Sequence, residues 1–476
     1  MNVQLKDVAA SEFSLWINGK AVAGASTFPV INPATEEVLT DCPRADLAQL
    51  NQAVAAAKAA FPAWCARPIE ERRQMLRRLA DTLEAQSDRF AVLLTREQGK
   101  PVAHAAFEIA GAVDMIRTFA TMDLPVDVLK ETATTRIVRL RVPLGVVAAI
   151  TPWNFPLILL MIKLAPALLS GNTVVCKPAP TTPLTTLRIG ELCAEIFPAG
   201  VINVITDQND LGTALTTHPD VAKVAFTGST TTGKKVMASA ASAIKRLTLE
   251  LGGNDAAIVL DDIDVKEVAP KIFMGAMLNT GQVCLAIKRV YAHDSIYESL
   301  CAELARLADT AIVGDGMDPR TQFGPMQNKV QFEKVKGYIE DARAHGRIIA
   351  GGKVGRERGY FVSPTIVRDI SDDARLVREE QFGPVLPVLR YSDVNDAVGR
   401  ANSTEYGLGA TVWSSDPARA YEVALKLNSG TIWINKHLEL PADVPFSGAK
   451  QSGLGTEMGR EGLLAFTQAK VIHADK

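Results

Sequence analysis

Three side chains in this 476-residue sequence have types and settings that could do chemistry. Cys284 lies in NTGQVC, where Gly281 permits a tight turn and Asn279, Thr280 and Gln282 put polar groups around a residue type that is usually buried. Glu250 ends KRLTLE and runs straight into LGGN, so a carboxylate stands at a strand end beside two glycines that allow close backbone approach. Asn154 is held between Pro152 and Pro156 in TPWNFP, at the end of the strand-like run GVVAAI, where parallel-sheet proteins place functional loops. By type these are a nucleophile, a proton acceptor and a hydrogen-bond donor. Taken singly they have ordinary readings: an inert core thiol, a solvated acid and a turn-former.

A fourth feature, GSTTTGKK (228–235), follows a strand and nearly spells the phosphate-cradling GxxxxGK[ST] loop. Lys235 stands where a Ser or Thr hydroxyl would hold Mg²⁺, so a nucleotide hydrolase would rest on this stretch alone and lack its metal ligand. The same glycines, with the Ser229 hydroxyl at a strand-to-helix turn, could present backbone N–H groups to a dinucleotide pyrophosphate.

The elements that position these residues read as α/β. From Gly145 the chain shows short β-branched runs separated by helical stretches: GVVAAI (145–150), TVVCKP (173–178), VINVIT (201–206), KVAFTG (223–228) and DAAIVL (255–260). Continuous apolar runs of this kind belong to parallel strands buried on both faces. After about residue 252 the alternation begins again, with strands near 289–293, 382–391, 409–414 and 431–435. Ahead of both lie amphipathic helices, one carrying Leu47, Leu50, Val54, Ala57 and Phe61 and ended by Pro62, the next following Pro68. The alternating TRIVRLRV within 124–145 suggests an exposed hairpin that needs a partner.

Composition excludes other classes. Apolar residues make up 47% and charged residues 22%, which fits neither a disordered chain nor a fibrous repeat. A formal charge of −2 offers no global handle for nucleic acid or an anionic membrane. The longest apolar stretch, Leu157 to Ile162, stops at Lys163, far short of a bilayer span. MNVQLKDVAASEF lacks the pattern of a secretory leader, so a cytoplasmic protein is expected. Six scattered cysteines, with no CxxC pair and no His cluster, predict free thiols and no metal site.

Taken together, these features resemble the aldehyde dehydrogenase superfamily over nearly the whole chain, from INPATEEV (31–38) to the C-terminal QAKVI. Its motifs occur in order: EQGKP (97–101), TPWNFP (151–156), KP (177–178), FTGST (226–230), LELGG (249–253), GQVC (281–284), EEQFGPV (379–385) and KQSGLG (450–455). The resemblance implies an NAD(P)-dependent oxidation in which the Cys284 thiolate adds to an aldehyde. The Asn154 amide and the Cys284 backbone N–H would hold the oxyanion, Glu250 would activate water against the thioester, and Glu457 would relay protons. It also implies cofactor contacts at Lys177 (adenosine ribose), Trp153, Ser229 (phosphate) and Glu380 (nicotinamide ribose), with Thr151, Pro152, Gly228, Gly233 and Phe382 completing that set. NAD-preferring members often carry a Glu three residues after that lysine; this chain has Pro180, so NAD is expected with NADP possible. Ser447 also replaces a usual Gly, in the loop beside the substrate mouth.

The implied fold is a Rossmann-like cofactor domain (1–122 and 143–251), an α/β catalytic domain (252–459) and a small β oligomerisation arm (123–142 and 460–476) of a homodimer or homotetramer. Phe155, Leu159 and Ile162, with Val283 and Leu285 flanking the nucleophile, would line an apolar substrate tunnel for a medium-sized uncharged aldehyde. The alternative is a semialdehyde whose carboxylate is anchored by Lys436 or His437.

Overall fold

The computed structural model describes residues 13–355 and 357–476. All but the last residue of MNVQLKDVAASEF, the stretch read above for a leader, lies outside the described residues. The β-branched runs from Gly145 pair into an eight-stranded sheet in the order Lys20–Val22, Leu15–Ile17, Ile202–Val204, Thr173–Lys177, Val146–Ile150, Val221–Thr227, Arg246–Glu250, Gly453–Leu454. The five strands from Ile202–Val204 to Arg246–Glu250 run parallel, and antiparallel strands close the sheet on both sides. Residues 146–150 and 173–177 are buried at every position, as continuous apolar runs require.

Strand order reverses between Val146–Ile150 and Val221–Thr227, which are neighbours although two strands intervene in the chain. Their carboxyl ends carry TPWNFP and GSTTTGKK, at the switch point where α/β sheets open a ligand crevice.

A second, seven-stranded sheet runs Arg347–Ala350, Thr365–Arg368, Val385–Tyr391, Ile287–His293, Asp255–Val259, Gly409–Trp413, Thr431–Ile434. DAAIVL thus belongs to its centre and not to the series that starts at Gly145. A three-stranded sheet sets Thr135–Pro143 between Asp127–Glu131 and Thr467–Asp475, the latter paired residue for residue from Thr467↔Pro143 to Asp475↔Thr135. TRIVRLRV is therefore the middle strand of an arm.

Pro62 does not end its helix, which runs Leu47–Cys65. Proline removes only the hydrogen bond to the Lys58 carbonyl, and both residues lie on the exposed side, where solvent can satisfy that oxygen. The sequence reading also gave no sign of the Ser26–Ile31 and Val38–Arg44 hairpin. Among the described residues, no helix is long and apolar enough to cross a membrane, and no group of three or more His, Cys, Asp or Glu could hold a metal ion.

Candidate active site

A cleft of about 640 Å³ opens between the carboxyl end of the first sheet and the amino ends of the second sheet's strands. Its walls bring together Pro152, Trp153, Asn154, Gly228, Ser229, Gly252, Cys284, Glu380 and Phe382, residues scattered over most of the chain.

The turn carrying Cys284 has an unusual backbone. Asn279, Thr280 and Gly281 have φ of 50°, 58° and 72°, three left-handed residues in succession. Two are not glycine, and such strain persists only where surrounding bonds over-determine it. Asn279 Nδ2 donates to the Asn154 carbonyl at 3.0 Å, Thr280 Oγ1 to the Gly324 carbonyl at 2.9 Å, and Gln282 Nε2 to the Asn279 carbonyl at 2.9 Å. A Cβ on Gly281 would come within 2.4 Å of the Gly383 carbonyl oxygen, so only glycine fits there.

Asn154 is 3% exposed and fixed at both ends. Its Nδ2 donates to the Gln282 carbonyl at 3.0 Å, which sets the amide beside the nucleophile turn with one N–H uncommitted. Its own carbonyl accepts from the Lys100 ammonium at 2.9 Å. Lys100 pairs with Glu108 at 2.5 Å, both side chains fully buried, and Glu108 accepts the Leu157 and Ile158 amides at the start of the helix Pro156–Leu169. The lysine of EQGKP thus positions the amide of TPWNFP, a link that spacing alone does not reveal.

Glu250 ends its strand as expected, is buried, and has no hydrogen-bond partner for either carboxylate oxygen among the described residues. Desolvation and then the neighbouring Glu457 charge hold its carboxyl well above the usual range, opposed by Lys163. Glu457 accepts from Lys163 Nζ at 2.6 Å, and the same ammonium donates to Thr227 Oγ1 at 2.6 Å. Lys163, read in the sequence only as the end of an apolar run, is the buried cation of this network. Burial pushes the Cys284 thiol up to about 12, with Lys288 opposing and Glu380, Asp255 and Glu250 adding to the rise.

Of the cofactor residues, Trp153 and Phe382 meet edge to face at 5.3 Å, and Glu380 Oε1 accepts the Gly253 N–H at 2.9 Å. Ser229 caps the helix Thr230–Ala241. Thr151 is buried with its hydroxyl unpartnered among the described residues. Lys177 is paired with buried Asp207 at 2.7 Å, so its charge is already balanced. The Gly233 N–H donates to the Ser229 carbonyl, and a Cβ there would strike Leu251 at 2.4 Å. Gly228 likewise gives its N–H to the Glu250 carbonyl at 3.0 Å. Lys234 and Lys235 point to solvent, so GSTTTGKK forms no lysine-bearing phosphate cradle.

Ile162, Val283 and Leu285 belong to one buried apolar cluster, with Phe155, Leu159 and Cys284 packed against it. The Lys100 ammonium lies 3.7 Å over the Phe155 ring. Lys436 and His437, the expected carboxylate anchors, are both engaged within the protein. Lys436 pairs with Glu439 at 2.7 Å on the surface, and half-buried His437, its pKa lowered to about 4 by desolvation, is neutral and donates to the Leu285 carbonyl.

Comparison with known proteins gives this geometry its context. A phenylacetaldehyde dehydrogenase of Pseudomonas fluorescens is 40% identical over 96% of this chain and 94% of its own length. A mitochondrial aldehyde dehydrogenase of Leishmania tarentolae is 41% identical over 96% of this chain and 94% of its own length. Among solved structures, the NAD⁺ complex of a Bacillus cereus aldehyde dehydrogenase superposes with a TM-score of 0.97 at 38% identity, covering 100% of this chain and 99% of that one. An NADP-dependent enzyme of E. coli superposes with a TM-score of 0.96 at 35% identity, covering 99% of this chain and 100% of that one. The profile of the aldehyde dehydrogenase family matches residues 20–472, and the chain belongs to that family.

Proposed function

We propose that the protein oxidises a medium-sized uncharged aldehyde to its carboxylic acid through a thioester on Cys284, preferring NAD⁺ over NADP⁺. The observation that carries this reading is the Asn154 amide bonded to the carbonyl two residues before Cys284, in one cleft with Trp153, Ser229 and Glu380.

The cleft suits a dinucleotide. Glu380 would hold its nicotinamide ribose, Ser229 and Trp153 would lie at its phosphates, with Phe382 packed on Trp153, and Lys177 would hold its adenosine ribose; a Cβ on Gly252 would fill the space against Glu380, 2.5 Å from Oε2. When bound, nicotinamide supplies the acceptor for the hydride that leaves the substrate carbon.

The protein's own residues do the rest. The Cys284 sulfur, as thiolate, forms a bond to the carbonyl carbon, and the carbonyl π pair moves to oxygen. Asn154 Nδ2 and the Cys284 N–H, which has no acceptor among the described residues, receive that charge. After oxidation, Glu250 takes a proton from the water that attacks the thioester, and sulfur leaves as thiolate. Glu457, coupled electrostatically to Glu250 and bonded to Lys163, passes the proton onward.

The apolar cluster beside Cys284 favours an uncharged chain or ring, each buried CH₂ adding about 0.8 kcal/mol at most. The Lys177–Asp207 pair leaves little positive charge for a 2′-phosphate, which supports NAD⁺ as the better cofactor. Specificity constants for hexanal, octanal, benzaldehyde and succinic semialdehyde, each with NAD⁺ and NADP⁺, test the reading. The uncharged aldehydes with NAD⁺ should lead; a clear preference for succinic semialdehyde would refute the substrate class. Cys284→Ala should abolish turnover while cofactor binding, followed by protein fluorescence, persists. We further propose that the three-stranded arm joins copies of the chain into a homodimer or homotetramer.

A further inference from the structure

Lys288, the second residue of the buried strand Ile287–His293, is 1% exposed and has no part in the proposed reaction. Its ammonium donates to three carbonyls of the nucleophile turn: Val283 at 2.9 Å, Cys284 at 2.6 Å and Ala286 at 3.3 Å. With Asn154 on Gln282 and His437 on Leu285, every carbonyl from Gln282 to Ala286 is held by a side chain. Opposite charge is at hand: Glu380 Oε1 lies 4.0 Å from the ammonium, and the buried Asp255 carboxylate interacts with it electrostatically.

The Val283 contact matters most, because that carbonyl shares a peptide plane with the Cys284 N–H. In a planar trans peptide the two groups point in opposite directions. The Val283 oxygen also accepts the Ala286 N–H at 3.1 Å, and Lys288 together with that amide fixes the direction of the Cys284 N–H on the far side. A cation on the carbonyl also polarises the amide and makes its N–H a stronger donor. An ammonium, carrying three donors and no acceptor, suits this task in a way a neutral side chain of similar length does not.

We infer that Lys288 is a positioning residue for aldehyde addition: it aims and strengthens the Cys284 backbone donor of the oxyanion site. The inference rests on the aldehyde-oxidising reading of the cleft. It predicts that Lys288→Met slows the pre-steady-state burst of reduced nicotinamide by about 10²–10³, the loss typical of one oxyanion donor. That loss should fall on the burst rate and kcat, with KM and cofactor affinity changed by no more than about threefold. Lys288→Arg should recover part of the rate.

Alkylation of Cys284 by iodoacetamide separates aim from charge, because it needs the thiolate and no oxyanion donor. The groups facing that thiol are Lys288, Glu380, Asp255 and Glu250. Loss of the lysine charge should slow alkylation at fixed pH, but by much less than the burst. Equal losses in the two assays would make Lys288 a modulator of the thiol alone and overturn the inference, as would a burst within about threefold of the parent. The double variant Lys288→Met/Asp255→Asn removes the charge imbalance that could unfold the single one. If neither variant folds, the lysine serves stability and the positioning role is refuted. A parent enzyme that reduces no nicotinamide with any aldehyde would instead sink the reading on which the inference rests.

Discussion

Glu457 is bonded to buried Lys163, and the charges of both act on the unpartnered Glu250 carboxyl. Glu250→Gln should slow thioester hydrolysis by roughly 10²–10⁴ and let the acyl-enzyme accumulate, visible as an intact-mass shift. The raised pKa of Glu250 means that its basic form, and with it hydrolysis, grows as pH rises. Glu457→Gln removes the charge that favours the protonated form and leaves Lys163 unpaired, and both changes lower the Glu250 pKa. The acid limb of single-turnover hydrolysis should therefore move to lower pH; a limb that stays in place would separate the two groups. Cys284, Glu250 and Asn154 were legible in the sequence because each sits in a short motif at the end of an element. Lys100, Lys163 and Lys288 were not, since a buried lysine looks like any surface lysine until its carboxylate or carbonyl partners, remote in sequence or hidden in a turn, are brought against it. His437 misled for the same reason: only its burial against Trp433 and the Leu285 carbonyl shows that it carries no charge.

At the scale of elements, β-branched runs identified the parallel strands well, because strands buried on both faces admit little else. Boundaries near proline and the pairing partners of short strands were harder. Pro62 shows why: a helix tolerates proline where the lost bond faces water. The nucleophile turn depends on a different rule. Gly281→Ala adds a Cβ against the Gly383 backbone at a φ of 72°, and the Gly383 chain cannot yield as a side-chain tip can. It should cost about 1–3 kcal/mol of stability, read as a lower urea midpoint, with turnover falling further as the Cys284 N–H shifts. A variant of unchanged stability and turnover would mean that the turn relaxes freely.

At the scale of the whole molecule, the arm leaves Val128, Leu129, Val471 and Ile472 between 41% and 51% exposed along two edge strands. Unpaired apolar edges invite a second copy. Val471→Lys/Ile472→Lys should therefore shift the protein to a smaller species in light scattering; an unchanged mass would place the interface elsewhere. The arm's middle strand was readable from alternation, whereas its C-terminal partner came only from the family resemblance, because pairing across most of the chain leaves no local trace. No such trace marks Gly453–Leu454 either, which closes the first sheet beside Leu249 and Glu250. That closing strand emerges from the ribosome only after every strand of the second sheet has been made. Through most of translation the strand bearing Glu250 thus has a bare edge, and parallel sheets are slow to complete. The late segment that covers the edge also delivers Glu457 to Lys163. A chain halted before that segment would carry Glu250 without Glu457, so under the proposed mechanism the outward path for the proton is the last part to be assembled.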